Sequence, residues 1–301
     1  MNTILIDLTT LNKDELKMAS YGIKLFFHKI KDLSLIVVGE SNNLLTIKDL
    51  DNIKIIDSTN NENALDETLS NNIFSTFVSF RNKSKIVDIA NNNFNKTIDS
   101  PLYASFFANA YTGRMTLLGD LGYKSFSAKE DFLSYKETLK IAYKELFENK
   151  DVKFKFLLAS NLKRTDETKD IISNLKNDNC FDCEIGSNYL LEADTDILLG
   201  DATIIQATIS GINQGVTVYN EYLENGMKNS FQYKFGGLFI KKLMESFNSS
   251  IDKKITSGGM MLLGYDKNII GIRNDTTSIG VSSCLNLANK MTKLNFASKL
   301  K

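Results

Sequence analysis

Short apolar runs alternate with amphipathic segments along most of this chain. The apolar runs predict β-strands at 4–7, 33–39, 53–57, 76–80, 115–119, 155–160, 182–186, 197–200 and 269–272. Between them, apolar residues recur at helical spacing and predict helices over 13–31, 62–72, 83–93, 129–148 and 165–177. Continuous apolar strands that alternate with helices are typical of a parallel sheet covered on both faces. The pattern therefore predicts an α/β fold, with an open, mostly parallel sheet and helices on both faces.

A different pattern runs from 202 to 248. Helical spacing continues there, and Asn225-Gly226 predicts a turn between two long helices. Aromatic residues and lysines lie side by side beyond the turn, including Phe231 and Phe235. Two interpretations are open, an amphipathic element on a membrane surface and a hairpin packed on a partner subunit. We expect one α/β unit over 1–301, with an inserted hairpin that joins a homodimer and leaves its tip free to touch a membrane.

Charge and hydropathy narrow the classes of function. Lys+Arg and Asp+Glu each number 36, so the net charge is +0. Without a basic excess to neutralise phosphates, no nucleic-acid partner is expected. No apolar run approaches the ~20 residues that a membrane-spanning helix needs. The chain opens with a predicted strand instead of a signal sequence, so we expect a cytoplasmic location.

Metal ligands and nucleophiles are scarce. A structural zinc site needs four ligands, whereas Cys180 and Cys183 form an isolated pair beside one further cysteine, Cys284. We therefore predict no metal and no cofactor, and interpret the cysteines as ordinary free thiols. The one histidine, His28, lies within a predicted helix and is not expected to act as a general base.

The most distinctive segment is the run GGMMLLG at 258–264. We predict a glycine loop there, then a buried strand, and then a polar loop that begins with Arg273 and Asn274 and opens a helix. Adjacent glycines let a backbone come close to a ligand, and ligands of open α/β sheets lie at the carboxyl ends of strands. Gly258 and Gly259 are therefore candidate ligand-binding residues, together with the two residues of the polar loop.

Candidate site residues also lie at the ends of three other predicted strands. Asp120 and Gly122 follow the first, Asp201 follows the second, and Ser79, Arg81, Asn82 and Lys83 lie at the end of the third. Since the carboxyl ends of parallel strands meet at one edge, we predict a cleft where Asp120, Asp201, Ser79, Asn82 and Gly258-Gly259 converge. Ligand binding is not the only interpretation of these residues. Residues 120–122 are equally typical of a tight turn, and 81–83 are typical of a basic turn exposed to solvent.

Several of these segments resemble one family. The run 258–264 resembles the GGAPLLG block of the PlsX family, the phosphate:acyl-ACP acyltransferases. Asp120 and Gly122 match the Asp and Gly of its LLLDVGAN block, and 196–201, which ends at Asp201, resembles ADVVVCDG. The order of elements is similar along nearly the whole chain.

One block of the resemblance differs in its chemistry. Ser79 and Asn82 match the FVSAGNTGA block, but Arg81 and Lys83 stand where the family has glycine and threonine. A glycine loop binds anions through backbone N–H groups. We predict that Arg81, Lys83 and Arg273 instead bind phosphate, or the phosphopantetheine end of a carrier, through their side chains.

The resemblance implies a function. The family moves a fatty acyl group from acyl-ACP to inorganic phosphate, giving acyl-phosphate for phospholipid synthesis. It shares its fold with phosphotransacetylases, uses neither metal nor redox cofactor, and acts as a dimer at the inner membrane surface. It implies Asp120 and Asp201 as catalytic residues, with acyl carrier protein or a CoA thioester and phosphate as partners. Two alternatives stay open, a non-catalytic homologue with a binding or regulatory role and a phosphotransacetylase-like enzyme that uses short acyl-CoA.

Overall fold

A computed structural model gives the fold. It describes residues 2–30, 32–99, 101–108, 115–120, 129–148, 152–157, 195–200, 259–274 and 276–300, with scattered residues between 210 and 226. The strands are β1 (Thr3–Asp7), β2 (Ser34–Gly39), β3 (Ile53–Asp57), β4 (Thr76–Ser79), β5 (Leu102–Ala108), β6 (Met115–Asp120), β7 (Phe154–Leu157), β8 (Ile197–Gly200), β9 (Gly259–Leu263) and β10 (Asn268–Ile272). The helices are α1 (Lys13–Phe27), α2 (Leu45–Lys48), α3 (Ala64–Asn71), α4 (Lys83–Asn93), α5 (Lys129–Phe147) and α6 (Ser278–Lys293).

These strands form one 10-stranded sheet in the order β3-β2-β1-β4-β10-β9-β5-β6-β8-β7. Neighbours are parallel except at β10–β9, β9–β5 and β5–β6. The predicted α/β fold with a mostly parallel sheet is therefore confirmed. The chain passes from β1 to β2 and β3 on one side, then returns to place β4 on the other side of β1. A topological switch point thus lies between β1 and β4.

The direction of each strand decides which loops meet. β1, β4 and β10 are parallel, so their carboxyl ends share one edge of the sheet. β9 runs the other way and begins at that edge, with Gly259 opposite Ile272. β6 is antiparallel to β5 and ends at the opposite edge, where Asp120 pairs with Tyr103 near the start of β5.

Helices cover both faces of the sheet, as the unbroken apolar strands require. Alternate residues of a strand point to opposite faces. Ile4 and Ile6 belong to the core on the face of α1 and α6, whereas Leu5 belongs to the core on the face of α3 and α4. Every residue of β1 and β10 is buried. The centre of the sheet is therefore a rigid base for the loops at its edge.

Two strands differ from the prediction. The glycine loop expected over 258–264 is wrong, because Gly259–Leu263 forms β9 and pairs with β10 on one side and β5 on the other. The apolar Met261, Leu262 and Leu263 are buried there. The turn comes at Gly264, whose φ of 103° favours glycine. β5 has no counterpart in the prediction.

Some predicted elements lie outside the described residues, namely the strand at 182–186, the helix at 165–177 and most of 202–248. The described residues between 210 and 226 are helical. The helix predicted over 13–31 ends at Phe27. In the part of the chain that the structure describes, no helix is both long and apolar enough to cross a membrane.

Candidate functional site

The candidate site lies at the switch point between β1 and β4. Asp7 ends β1 and Ser79 ends β4, and the two residues are register partners. Both are fully buried. In an open α/β sheet the loops on the two sides of a switch point diverge and leave a crevice for a ligand. Asp7, Thr9 and Arg81 lie at this switch point and form the candidate site.

Asp7 is a buried carboxylate with a hydrogen bond from each of four donor groups. Its Oδ1 accepts from the backbone N–H of Thr9 (3.1 Å) and from the Thr9 hydroxyl (2.6 Å). Its Oδ2 accepts from the Ser79 hydroxyl (2.9 Å) and from Nε of Arg81 (2.7 Å). A buried charge is costly unless it is paired and hydrogen-bonded. These donors meet that requirement, so the carboxylate has a fixed position.

Arg81 is held along one edge of its guanidinium group. Nε donates to Asp7, and Nη2 donates to the Thr9 hydroxyl (2.7 Å). The backbone N–H of Arg81 donates to the Ser79 hydroxyl (3.2 Å). A guanidinium carries N–H donors on two edges. Among the described residues nothing hydrogen-bonds to Nη1, and the side chain is 25% exposed. The end formed by Nη1 and Nη2 is thus available to an oxyanion, which it can bind with two hydrogen bonds.

The first turn of α4 follows Arg81 in the chain and carries Lys83 and Lys85. The Asn82 side chain caps the helix by accepting a hydrogen bond from the backbone N–H of Lys85 (3.0 Å). The turn has no acidic residue, although acidic side chains usually stabilise a helix N-terminus. The Tyr103 hydroxyl donates to the carbonyl of Lys83 (2.6 Å), whose ammonium lies 5.5 Å from the centre of the Tyr103 ring. Lysines and helix N–H groups together favour an anion.

Residues of β9 and β10 lie at the same edge. Gly259 begins β9, and Arg273 and Asn274 follow β10 and are exposed. β10 is the neighbour of β4 and β9 is the next strand, so Gly259 lies about 10 Å from β4 across the sheet. The structure therefore places these predicted residues at the same sheet edge as Ser79, on the side of β4 away from β1.

The predicted position of Asp120 is wrong. β6 ends at the edge opposite to that of Asp7 and Gly259. β6 is also separated from β4 by three intervening strands, which corresponds to about 19 Å across the sheet. The prediction of a common cleft required β6 to run in the same direction as β4, but the antiparallel pairing of β5 and β6 reverses β6. Asp120 therefore does not share a cleft with Ser79 and Gly259.

Three other predicted site residues, Gly122, Asp201 and Gly258, lie outside the described residues, as do Cys180 and Cys183. His28 is exposed at the C-terminal end of α1, next to its last residue. Burial raises the pKa of the Cys284 thiol to about 12, so this thiol is a poor nucleophile near neutral pH. The described residues contain no cluster of three potential metal ligands.

Asp7 and Thr9 are candidate site residues that the sequence prediction missed. An Asp that ends a strand, followed two residues later by Thr, is a visible signal. The same contacts occur again among the described residues, because Asp57 at the end of β3 accepts from the Thr59 backbone (3.3 Å) and hydroxyl (2.7 Å). The motif alone is therefore a turn. What distinguishes Asp7 is an arginine that reaches it from 74 positions along the chain.

The fold is phosphotransacylase-like. A branched-chain phosphotransacylase from Enterococcus faecalis V583 is similar with a TM-score of 0.57 and 11% identity, over 97% of this chain and 99% of that one. A beta-decarboxylating dehydrogenase from Thermococcus kodakarensis, in its apo form, has a TM-score of 0.46 and 8% identity, over 96% of this chain and 83% of its own. No protein-family model matches the sequence, and no curated protein is significantly similar to it.

Proposed function

We propose that this protein is a phosphate acyltransferase, which moves an acyl group from a thioester to inorganic phosphate. The observation that carries the proposal is the Arg81 guanidinium, held by Asp7 at the switch point with one end available to an oxyanion. The full-length likeness to a branched-chain phosphotransacylase supports the same reaction class. The PlsX resemblance supports it from the sequence.

The reaction needs two anions to be stabilised. A phosphate oxygen attacks the thioester carbonyl carbon, so a C–O bond forms as the C–S bond breaks, and the proton of HPO4²⁻ passes to the departing thiolate. We assign phosphate binding to Arg81, since its planar end matches two phosphate oxygens. The N-terminus of α4 begins two residues after Arg81 and would lower the energy of the oxyanion that develops on the carbonyl.

The acyl donor that we propose is fatty acyl-ACP, which yields an acyl-phosphate for phospholipid synthesis. This choice rests on the sequence resemblance around 258–264. A short acyl-CoA is the alternative donor, and the structural likeness to a branched-chain phosphotransacylase fits it equally. Parallel assays with the two thioesters separate these donors.

A second candidate is a homologue that binds anions without catalysis. One observation favours it: the positive charge of Arg81 is already paired with the buried carboxylate of Asp7. An ion pair inside the protein weakens the pull on an external anion. Phosphate binding without turnover of any thioester is the result expected for this candidate.

We also propose a homodimer joined through 202–248, in contact with the inner face of the membrane. Support comes from the sequence pattern and from large apolar side chains that are exposed in this region: Val218, Tyr219 and Tyr222. Exposed apolar groups of this size favour a partner surface.

The reaction is tested with purified protein, phosphate, and either long-chain acyl-ACP or acetyl-CoA. Released thiol and hydroxylamine-trapped acyl-phosphate should appear in equal amounts. Arg81→Gln should lower kcat/KM for phosphate at least tenfold to a hundredfold, because each hydrogen bond to a charged group contributes about 1.5–3 kcal/mol and this variant loses the pair. Arg81→Lys should remain impaired, because lysine has no planar fork.

Lys17→Gln is the matched control, because it removes one positive charge from an exposed site on α1. It should leave kcat/KM unchanged. Thiol release that does not depend on phosphate would contradict the proposal, as would full activity in Arg81→Gln.

A further inference from the structure

From the hydrogen bonds around β1 we infer that Asp7 and Thr9 are positioning residues, which hold Arg81 so that it binds a phosphate dianion with two hydrogen bonds. The inference rests on the proposed function, and it deepens it by naming what orients the anion-binding group. Neither Asp7 nor Thr9 needs to touch the anion. Their part is to fix the guanidinium before the anion arrives.

The first step of the argument is the direction of the Thr9 hydroxyl. It donates to Oδ1 of Asp7 (2.6 Å) and accepts from Nη2 of Arg81 (2.7 Å). A hydroxyl has one proton to donate, so its donation to the carboxylate leaves its oxygen lone pairs for the guanidinium. Thr9 thus links the carboxylate to the arginine, in addition to the direct contact of Nε with Asp7.

The second step concerns which donors of Arg81 are used. Nε and Nη2 lie on one edge of the planar group, and both are bound by this loop. Rotation of the guanidinium would break both hydrogen bonds. The plane is therefore fixed, and with it the Nη1–Nη2 end that can pair with two oxygens of one phosphate.

The third step is energetic. An arginine side chain that is free in water loses rotamer entropy when it binds an anion. Here the burial of Asp7 and the hydrogen bond from Ser79 hold the carboxylate still, so that loss occurs when the protein folds. Preorganisation of this kind strengthens binding without any new contact to the ligand.

The chain offers a matched control for this inference. Thr59 makes the same backbone and hydroxyl contacts to Asp57 at the end of β3. None of the hydrogen bonds that the structure shows for Asp57 comes from an arginine. Thr59→Val therefore removes the same turn hydrogen bond as Thr9→Val, but it does not change the orientation of a cation.

The test is calorimetric titration of the full-length protein with inorganic phosphate, followed by kinetics with acyl-ACP and acetyl-CoA. Thr9→Val should weaken phosphate binding about tenfold, the order expected when one hydrogen bond to a charged group no longer orders the cation. Its KM for phosphate should rise by a similar factor, while the KM for the thioester stays the same. Thr9→Ser should restore wild-type affinity, and Thr59→Val should keep it.

The outcomes separate this inference from the proposed function. Phosphate binding that is weakened by Thr9→Val in a protein that turns over no thioester supports the inference and rejects the acyltransferase. Turnover with unchanged phosphate affinity in Thr9→Val rejects the inference and leaves the acyltransferase standing. Equal weakening in Thr9→Val and Thr59→Val, or a wild-type protein that does not bind phosphate, overturns the inference.

Discussion

The contact between α1 and α6 predicts that Gly22→Ala destabilises the protein, although alanine favours helices. Gly22 lies within α1 and is buried. A Cβ atom there would lie 2.6 Å from Cβ of Val281 and 2.7 Å from the carbonyl oxygen of Ser278. Carbon atoms in ordinary contact are about 3.5–4.0 Å apart, so the two helices would have to separate by about 1 Å.

The sign of the effect follows from two opposing terms. Overpacking of a close contact costs about 1–3 kcal/mol. Alanine recovers up to about 1 kcal/mol of helix propensity relative to glycine. With full recovery the net loss lies between about 0 and 2 kcal/mol, and the contact with the Ser278 backbone oxygen, which no side-chain rotation can relieve, puts it at the upper end. Gly211→Ala is the matched control, since Gly211 is helical and no described atom lies within 4 Å of the Cβ position. That variant should gain up to about 1 kcal/mol.

Urea unfolding followed by circular dichroism gives the free energy of unfolding of both variants and the wild type. Opposite signs for Gly22→Ala and Gly211→Ala support the packing argument. The reasoning fails if Gly22→Ala is as stable as the wild type, or if both variants shift in the same direction by similar amounts.

Three further predictions concern other parts of the chain. Hydrogen bonds lower the pKa of Asp57 from 3.8 to about 2, with the largest effect from the backbone N–H of Ser41 and the next from the Thr59 hydroxyl. Asp57 thus contributes stability above pH 3.8 that is lost toward pH 2, and Asp57→Asn should flatten the fall of the melting temperature in that window. Cys284, with its pKa of about 12, should resist iodoacetamide at neutral pH until the protein unfolds, as peptide mass spectrometry would show. Light scattering should show a dimer, and a monomer would contradict the proposed homodimer. Vesicle flotation should show salt-sensitive binding that is lost when Phe231 and Phe235 are both changed to serine. A dimer that does not bind vesicles would contradict the proposed membrane contact.

Local patterns of apolar residues were sufficient to predict most of the helices and strands. The predicted strands at 53–57 and 197–200 coincide with β3 and β8, and the helix predicted over 83–93 coincides with α4. The helix predicted over 129–148 corresponds to α5, and apolar residues that recur at helical spacing in it are buried: Tyr135, Leu139, Tyr143 and Leu146. These features depend on the spacing of apolar residues within one segment, and spacing is a property of the sequence alone.

β9 shows where local pattern fails. Two adjacent glycines predicted a loop, but the buried side chains that follow them are apolar and pair with strands on both sides. Strand formation in the centre of a sheet depends on neighbouring strands that are distant in sequence. The residues near Gly259 in the sequence do not show which strands will lie beside it.

The sequence by itself determined that this chain forms a sheet of apolar strands covered by helices. Consecutive apolar residues in a strand point to both faces of the sheet, so both faces must be buried. It also placed Ser79, Arg81 and Asn82 at the end of a strand. The tertiary structure decided which strand ends meet. The direction of β6 sends Asp120 to the other edge, and an ion pair between residues 74 positions apart places Arg81 on the buried carboxylate of Asp7. Pairing direction and ion pairing depend on contacts between distant segments, so they exist only once the chain has folded.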